Sequence, residues 1–206
     1  MKAIFEQVYA DNAWKFGSGE GSRPSQTRGY VDFLQRFLRE RRIRSVVDFG
    51  CGDWQFSQRV DWSGIDYVGL DVVPGLVRRN QRVHGCASIR FREVAGAGDS
   101  LPDADLLLVK DVLQHWSNVE VARFLPRLAP FRYALVTNCV HPSGRTLNRD
   151  VETGDFRPLD LREPPFLLPA AEVYAFEHRR PALLRPFTGP RWRKNVLLLE
   201  HGGAPR

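Results

Sequence analysis

The sequence is short of cysteine, of lysine and of long apolar runs, and each shortage excludes something. Its three cysteines, Cys51, Cys86 and Cys139, form no C-x-x-C pair, which argues against a disulfide framework or a structural zinc site and suits a reducing, cytoplasmic setting. The five histidines show no H-x-x-x-H spacing, so no metal is expected. Charges such as Lys110 and Asp111 interrupt every apolar stretch well before the ~18 residues that a membrane span needs. Residues 1–10 carry Lys2 and Glu6 and lead into no apolar segment, so neither membrane nor secretion is expected. Only four of the 30 basic residues are lysine, and the net charge of +6 (30 − 24) is spread from Arg23 to Arg206. No aromatic-interleaved basic cluster or reader motif accompanies that charge, which argues against nucleic acid as a partner.

What remains is the composition of an ordinary globular chain, 43% apolar and 26% charged over 206 residues, sized for one domain that buries roughly 70% of its unfolded surface. The first distinctive segment, Gly17-Ser18-Gly19-Glu20-Gly21-Ser22, follows Trp14 and Phe16. It reads either as a flexible lead-in or as a folded lid, since Tyr9, Trp14 and Phe16 would be wasted on a disordered tail. From Pro24, apolar residues at Tyr30, Phe33, Leu34, Phe37 and Leu38 predict a helix capped by Ser22 or Ser25 and ending in 39–42. Strands are then expected at 45–49, 67–71, 89–94, 105–109 and 133–137, with helices at about 54–60, 74–82 and 118–128. This alternation predicts an α/β fold, a Rossmann-like doubly wound sheet that is mostly parallel. After a long loop over 141–169, strands at 173–178 and 195–200 predict a C-terminal antiparallel hairpin. Loops of that length are commonly functional or mobile.

The chemistry is expected where the first strand meets Gly50-Cys51-Gly52, because open α/β sheets bind ligands at the carboxyl ends of their strands. A dinucleotide fingerprint would place a third glycine where Gln55 stands. Asp48 would oppose a pyrophosphate but favour an amine and a sulfonium, as in S-adenosylmethionine (SAM). Asp71, nineteen residues beyond Gly52, ends the second strand, where a carboxylate can accept ribose hydroxyls.

Asp48-Phe49-Gly50-Cys51-Gly52, with Asp71 and the segment Lys110-Asp111-Val112-Leu113-Gln114-His115-Trp116, resembles the class I SAM-dependent methyltransferases from about Ser45 to Glu200. Residues 47–57 and 62–74 look like a bacterial, uncharacterised subgroup whose leader is similar to 17–22, favouring the lid. The resemblance implies a single domain over 1–206: a lid and helix at 1–44, a SAM-binding core at 45–138, and a substrate loop with the terminal hairpin at 139–206. It implies SAM as cofactor, held by Asp48, Gly50, Gly52, Asp71, Val72, Lys110 and Trp14. Relatives often bind the adenine amino group through an acidic residue where this chain has Ala95, with Asp99 displaced into the next loop.

His115 is the candidate catalytic group, as base or orienting partner beside the transferred methyl; packing beside Trp116 is its plainer role. Tyr9, His141, Arg149 and Asp150 are the candidate substrate contacts, with Arg149 and Arg157 able to hold an anionic group; as charges on a long loop they could equally be solvation. The expected activity is methyl transfer to the oxygen or nitrogen of a small molecule. Alternatives are an RNA or protein methyltransferase, a non-catalytic SAM-binding module and, against Asp48 and Gln55, a nicotinamide enzyme.

Overall fold

Ser45–Phe49 forms β1, Asp66–Asp71 β2, Ile89–Glu93 β3, Leu106–Lys110 β4 and Tyr133–Val140 β5. The strands pair in parallel, β1 with both β2 and β4, β2 with β3, and β4 with β5. In the computed structural model, which describes residues 1–142, 145–177 and 193–202, two further strands, β6 (Ala171–Glu177) and β7 (Arg193–Glu200), complete the sheet antiparallel. The order is β3-β2-β1-β4-β5-β7-β6, with β7 laid between β5 and β6. His178, expected in the first hairpin strand, lies outside the described residues.

Alternation along the strands divides the core in two. Val47, Phe49, Leu107 and Val109 face one side, where they meet Trp116 and Phe124. Val46, Leu106 and Leu108 face the other, against Tyr30, Leu34 and Phe37. The latter three belong to helix α2 (Pro24–Glu40), whose apolar residues at three- and four-residue steps are all buried. Phe33 of α2 also stacks on Tyr174 of β6, centroids 4.8 Å apart and planes 5° from parallel. Helices α3 (Pro74–His84) and α4 (Asn118–Phe124) complete the covering layers.

Several boundaries differ from expectation for local reasons. Helix α1 (Lys2–Ala10) has no side-chain cap and no sequence signal of its start. The N-cap of α2 is Arg23 rather than Ser22 or Ser25, because Pro24 fixes the first turn. No helix spans 54–60: Trp54 has φ of +62°, outside the helical region, and only a 3-10 turn at Ser57–Arg59 follows. Helix α4 gives way to a 3-10 turn, Leu125–Leu128, where Pro126 has no N–H to continue the ladder. Among the described residues no helix is long and apolar enough to cross a membrane.

Candidate functional site

Beyond Phe49 the chain turns back over β2. The amides of Gly50 and Cys51 both donate to the Leu70 carbonyl, at 2.8 and 3.0 Å, and the turn needs φ of +75° at Gly50 and +55° at Gly52, a region that favours glycine. The Gly52 amide donates to Asp71 Oδ2 at 2.9 Å and the Val73 amide to Oδ1 at 3.0 Å, so Asp71 ties the glycine turn to the end of β2. Asn80, wholly buried on α3, donates to the Gly52 carbonyl at 2.8 Å. Sequence reading missed Asn80; a buried amide facing inward from α3 is its signal.

The leader is folded over this turn. The hydroxyls of Tyr9 and Ser18 are 2.8 Å apart. Ser18 Oγ accepts the Asp53 amide at 2.9 Å while its own amide donates to Asp53 Oδ2 at 3.1 Å, and Gln55 Nε2 donates to the Phe16 carbonyl at 2.5 Å. A side chain at Gly52 would strike Ser18, an added Cβ lying 2.3 Å from Oγ. The reciprocal Ser18–Asp53 pair thus makes the 17–22 segment a cover.

Cover and turn border a half-open cavity of about 300 Å³, at the small end of ligand pockets. Gly50, Gly52, Asp71, Val72, Lys110, His115, Trp14 and Tyr9 all line it. Asp48 does not. Strand alternation turns it to the opposite side of β1 from Phe49, where Tyr67 donates to its Oδ2 at 2.5 Å and Ser57 at 3.2 Å. There burial raises its pKa to about 6 despite those bonds. The expected contact of Asp48 with a ligand amine is therefore corrected: it braces the turn from behind.

The expected substrate residues on the long loop are corrected as well. His141, Arg149 and Asp150 are exposed and line no part of the cavity. Asp150 Oδ1 accepts the Asn118 and Val151 amides at 2.7 and 2.9 Å, which caps the start of α4. Arg157 is buried and donates to the Trp116 and Arg149 carbonyls and to Asn118 Oδ1, so its charge staples the loop to the start of α4. Among the described residues of the loop, Phe156 lines the cavity. Ala95 and Asp99 form their own turn, the Ala95 amide donating to Asp99 Oδ2, and the neighbouring cavity wall is Val94.

The far end of the cavity carries the charge. Lys110 Nζ donates to Asp111 Oδ2 at 2.5 Å and to the Gly21 carbonyl at 3.4 Å, and lies 5.0 Å from the Phe56 ring centroid. Lys194, which sequence reading did not single out, donates to the same Oδ2. The two ammonium groups outweigh burial and hold Asp111 well below the usual carboxylate range.

His115 sits between Trp14, centroids 4.7 Å apart, and Phe156, at 5.7 Å. Its Nδ1 is 3.0 Å from the Asp155 carbonyl and its Nε2 3.4 Å from Gln114 Nε2. Burial lowers its pKa to about 4, so the ring is neutral near pH 7. A carbonyl beside Nδ1 requires the proton there and leaves the lone pair on Nε2. Among the described residues, no group of three or more His, Cys, Asp or Glu is placed to hold a metal ion.

The cover is expected to respond to ligand. Trypsin at Lys15 and a glutamyl endopeptidase at Glu20 should cut severalfold more slowly in the presence of SAM; equal rates with and without it would rule out ligand-linked closure.

No family model and no curated protein matches the sequence. Solved structures do. Over 98% of this chain, it is similar to the N-methyltransferase NodS from Bradyrhizobium japonicum WM9 (TM-score 0.64, 12% identity, 98% of that chain). It is similar to magnesium protoporphyrin IX methyltransferase from Synechocystis PCC 6803 (0.63, 15%, 98% of this chain and 100% of that one). A third is the Burkholderia thailandensis 1,6-didemethyltoxoflavin-N1-methyltransferase (0.63, 17%, 98% and 87%). All three were solved with S-adenosylhomocysteine (SAH) bound. The mostly parallel sheet with its antiparallel end, and the glycine turn over its centre, give this chain the fold of the class I SAM-dependent methyltransferases.

Proposed function

We propose that this chain transfers a methyl group from SAM to an oxygen or nitrogen of a small molecule. The observation that carries the reading is the junction of a positive-φ glycine turn and a strand-end carboxylate, Asp71, in the wall of one covered cavity. The residues fit the cofactor: a Cβ on Gly50 or Gly52 would press on Val112 or Ser18, so the bare backbone leaves room for a ligand against the turn, whose own amides are held by the Leu70 carbonyl and Asp71. Asp71 would take the ribose hydroxyls, and Val72 and Val94 the adenine ring. The three solved neighbours are named for porphyrin, toxoflavin and N-methyl chemistry, which supports a small acceptor.

When bound, SAM supplies a methyl group already activated on sulfonium, so the protein contributes chiefly orientation and exclusion of water. Trp14 and the cover close the cavity. His115 is neutral, and its Nε2 lone pair, which faces the Gln114 amide N–H, would instead accept a hydrogen bond from the acceptor O–H or N–H and so point the reacting lone pair away from the ring. A pKa of about 4 makes the ring a weak base, so it orients a hydroxyl acceptor; a neutral amine needs no base.

Calorimetry with SAM tests the reading. Asp71→Ala removes charge-assisted hydrogen bonds worth roughly 1.5–3 kcal/mol and frees the turn, so affinity should fall about tenfold or more. Unchanged affinity in a folded Asp71→Ala protein would refute the ribose contact, and absence of SAM binding to the unaltered chain would refute the function.

A further inference from the structure

Cofactor binding as proposed leaves the charged end of the cavity unused. Lys110 ends β4 and Lys194 is the second residue of β7. Their side chains are 2% and 6% exposed, and both bond one oxygen, Oδ2, of Asp111. The other oxygen, Oδ1, is buried and unpartnered among the described residues. Two ammonium groups therefore share one carboxylate in a wall that faces the ligand space. Asp48, whose field also reaches Lys110, accepts from Tyr67 and Ser57 and makes no ion pair among the described residues, while burial lowers the pKa of Lys110 itself. Lys194 has three donors and a single described acceptor; Asp111 raises its pKa against burial, so it stays charged. An added Cβ on Gly21 would lie 2.5 Å from Lys194 Nζ, so the cover passes over this amine as bare backbone.

We propose that Lys110, Asp111 and Lys194 form a subsite for a carboxylate on the methyl acceptor, an inference that rests on the methyltransferase reading. The nearness of His115 assigns the anion to the acceptor. Asp71 is on β2, and both amines converge on Asp111 at the end of β4, two places along, about 10 Å at about 4.8 Å per strand. The charged cluster thus adjoins the segment that carries His115, on which Asp111 and Lys194 both act. The two spare donors of Lys194 match a carboxylate better than the more highly charged phosphate ester. Two separate ammonium points, with no guanidinium fork, suit a group without a fixed bidentate demand.

Benzoate and its neutral counterpart benzamide are the probes, because Trp14, His115 and Phe156 give the cavity aromatic walls. Each is titrated into the full chain saturated with SAH and followed by NMR. Benzoate should bind at least tenfold more tightly than benzamide. Lys194→Met should erase that preference while SAH affinity stays within twofold. Equal affinity of the two probes for the unaltered chain would overturn the subsite, whatever the variant does. A tenfold loss of SAH affinity in Lys194→Met would instead assign the cluster to the cofactor's own carboxylate and overturn it too. Phenyl phosphate binding more tightly than benzoate would overturn the monoanion. Failure of SAH to bind the unaltered chain is a separate result, against the methyltransferase reading itself.

Discussion

Gly50→Val is expected to weaken SAM binding by at least 10²-fold, about 2.7 kcal/mol or more. Two costs coincide at this residue. Its φ of +75° is a genuine outlier for a β-branched side chain, and the left-handed region alone costs roughly 1–2 kcal/mol. A Cβ there would also lie 2.3 Å from Val112 Cγ2, so the turn must open or the segment after β4 must move, and both line the cavity. Gly75→Ala is the control: it sits in α3 with nothing within 4 Å of an added Cβ, and should bind SAM normally with unchanged or slightly raised stability. Calorimetry on both folded variants decides the matter; affinity of Gly50→Val within threefold of the unaltered chain would show that the turn does not cradle the ligand.

The second large effect is on stability, through Asp48. Its pKa in the fold is about 6, against an ordinary 3.8, so the native state holds this proton more tightly than the unfolded chain does. Below pH 3.8 both states are protonated and the carboxyl costs nothing. As pH rises from 3.8 to 6, the unfolded chain ionises while the native state keeps its proton, and the full penalty, about 3 kcal/mol for a shift of about two units, is present above pH 6. His115 acts in the opposite sense: its lowered pKa contributes stability above pH 6.5 that is lost as pH falls toward 4. It is present in both proteins and cancels in a comparison with Asp48→Asn. Urea unfolding from pH 4 to 7.5 should therefore show the unaltered chain losing about 3 kcal/mol relative to Asp48→Asn across this range. Parallel curves would mean that Tyr67 and Ser57 already compensate the charge in full.

Strand period and glycine placement made the centre of the fold legible, because β1, β2 and β4 are short apolar runs ended by a turn or a charge. Gly50, Gly52 and Asp71 followed from the same pattern and line one cavity. The error at Asp48 was one of parity: Val47 and Phe49 face one core and Val46 the other, which already turns residue 48 away from Phe49's side. Charge on a long loop misled differently. Arg157 reads as an anion site, yet a buried arginine that meets two carbonyls and an amide oxygen is a staple. Lys194 was illegible because its place depends on the pairing of Cys139 with Lys194 across β5 and β7, a register that local sequence does not encode. Helix α1 was illegible because nothing caps it.

The position of β7 between β5 and β6 also constrains how the molecule comes into being. A ribosome delivers β5 and then β6; β5 already has β4 beside it, but its other edge and β6 are paired only by β7, which begins some fifty residues after β5 ends. Lys194 arrives with that same strand, whereas the cover is made first. The glycine turn can thus take shape early, yet the cavity is complete only once β7 has inserted, because Lys194 is part of its wall.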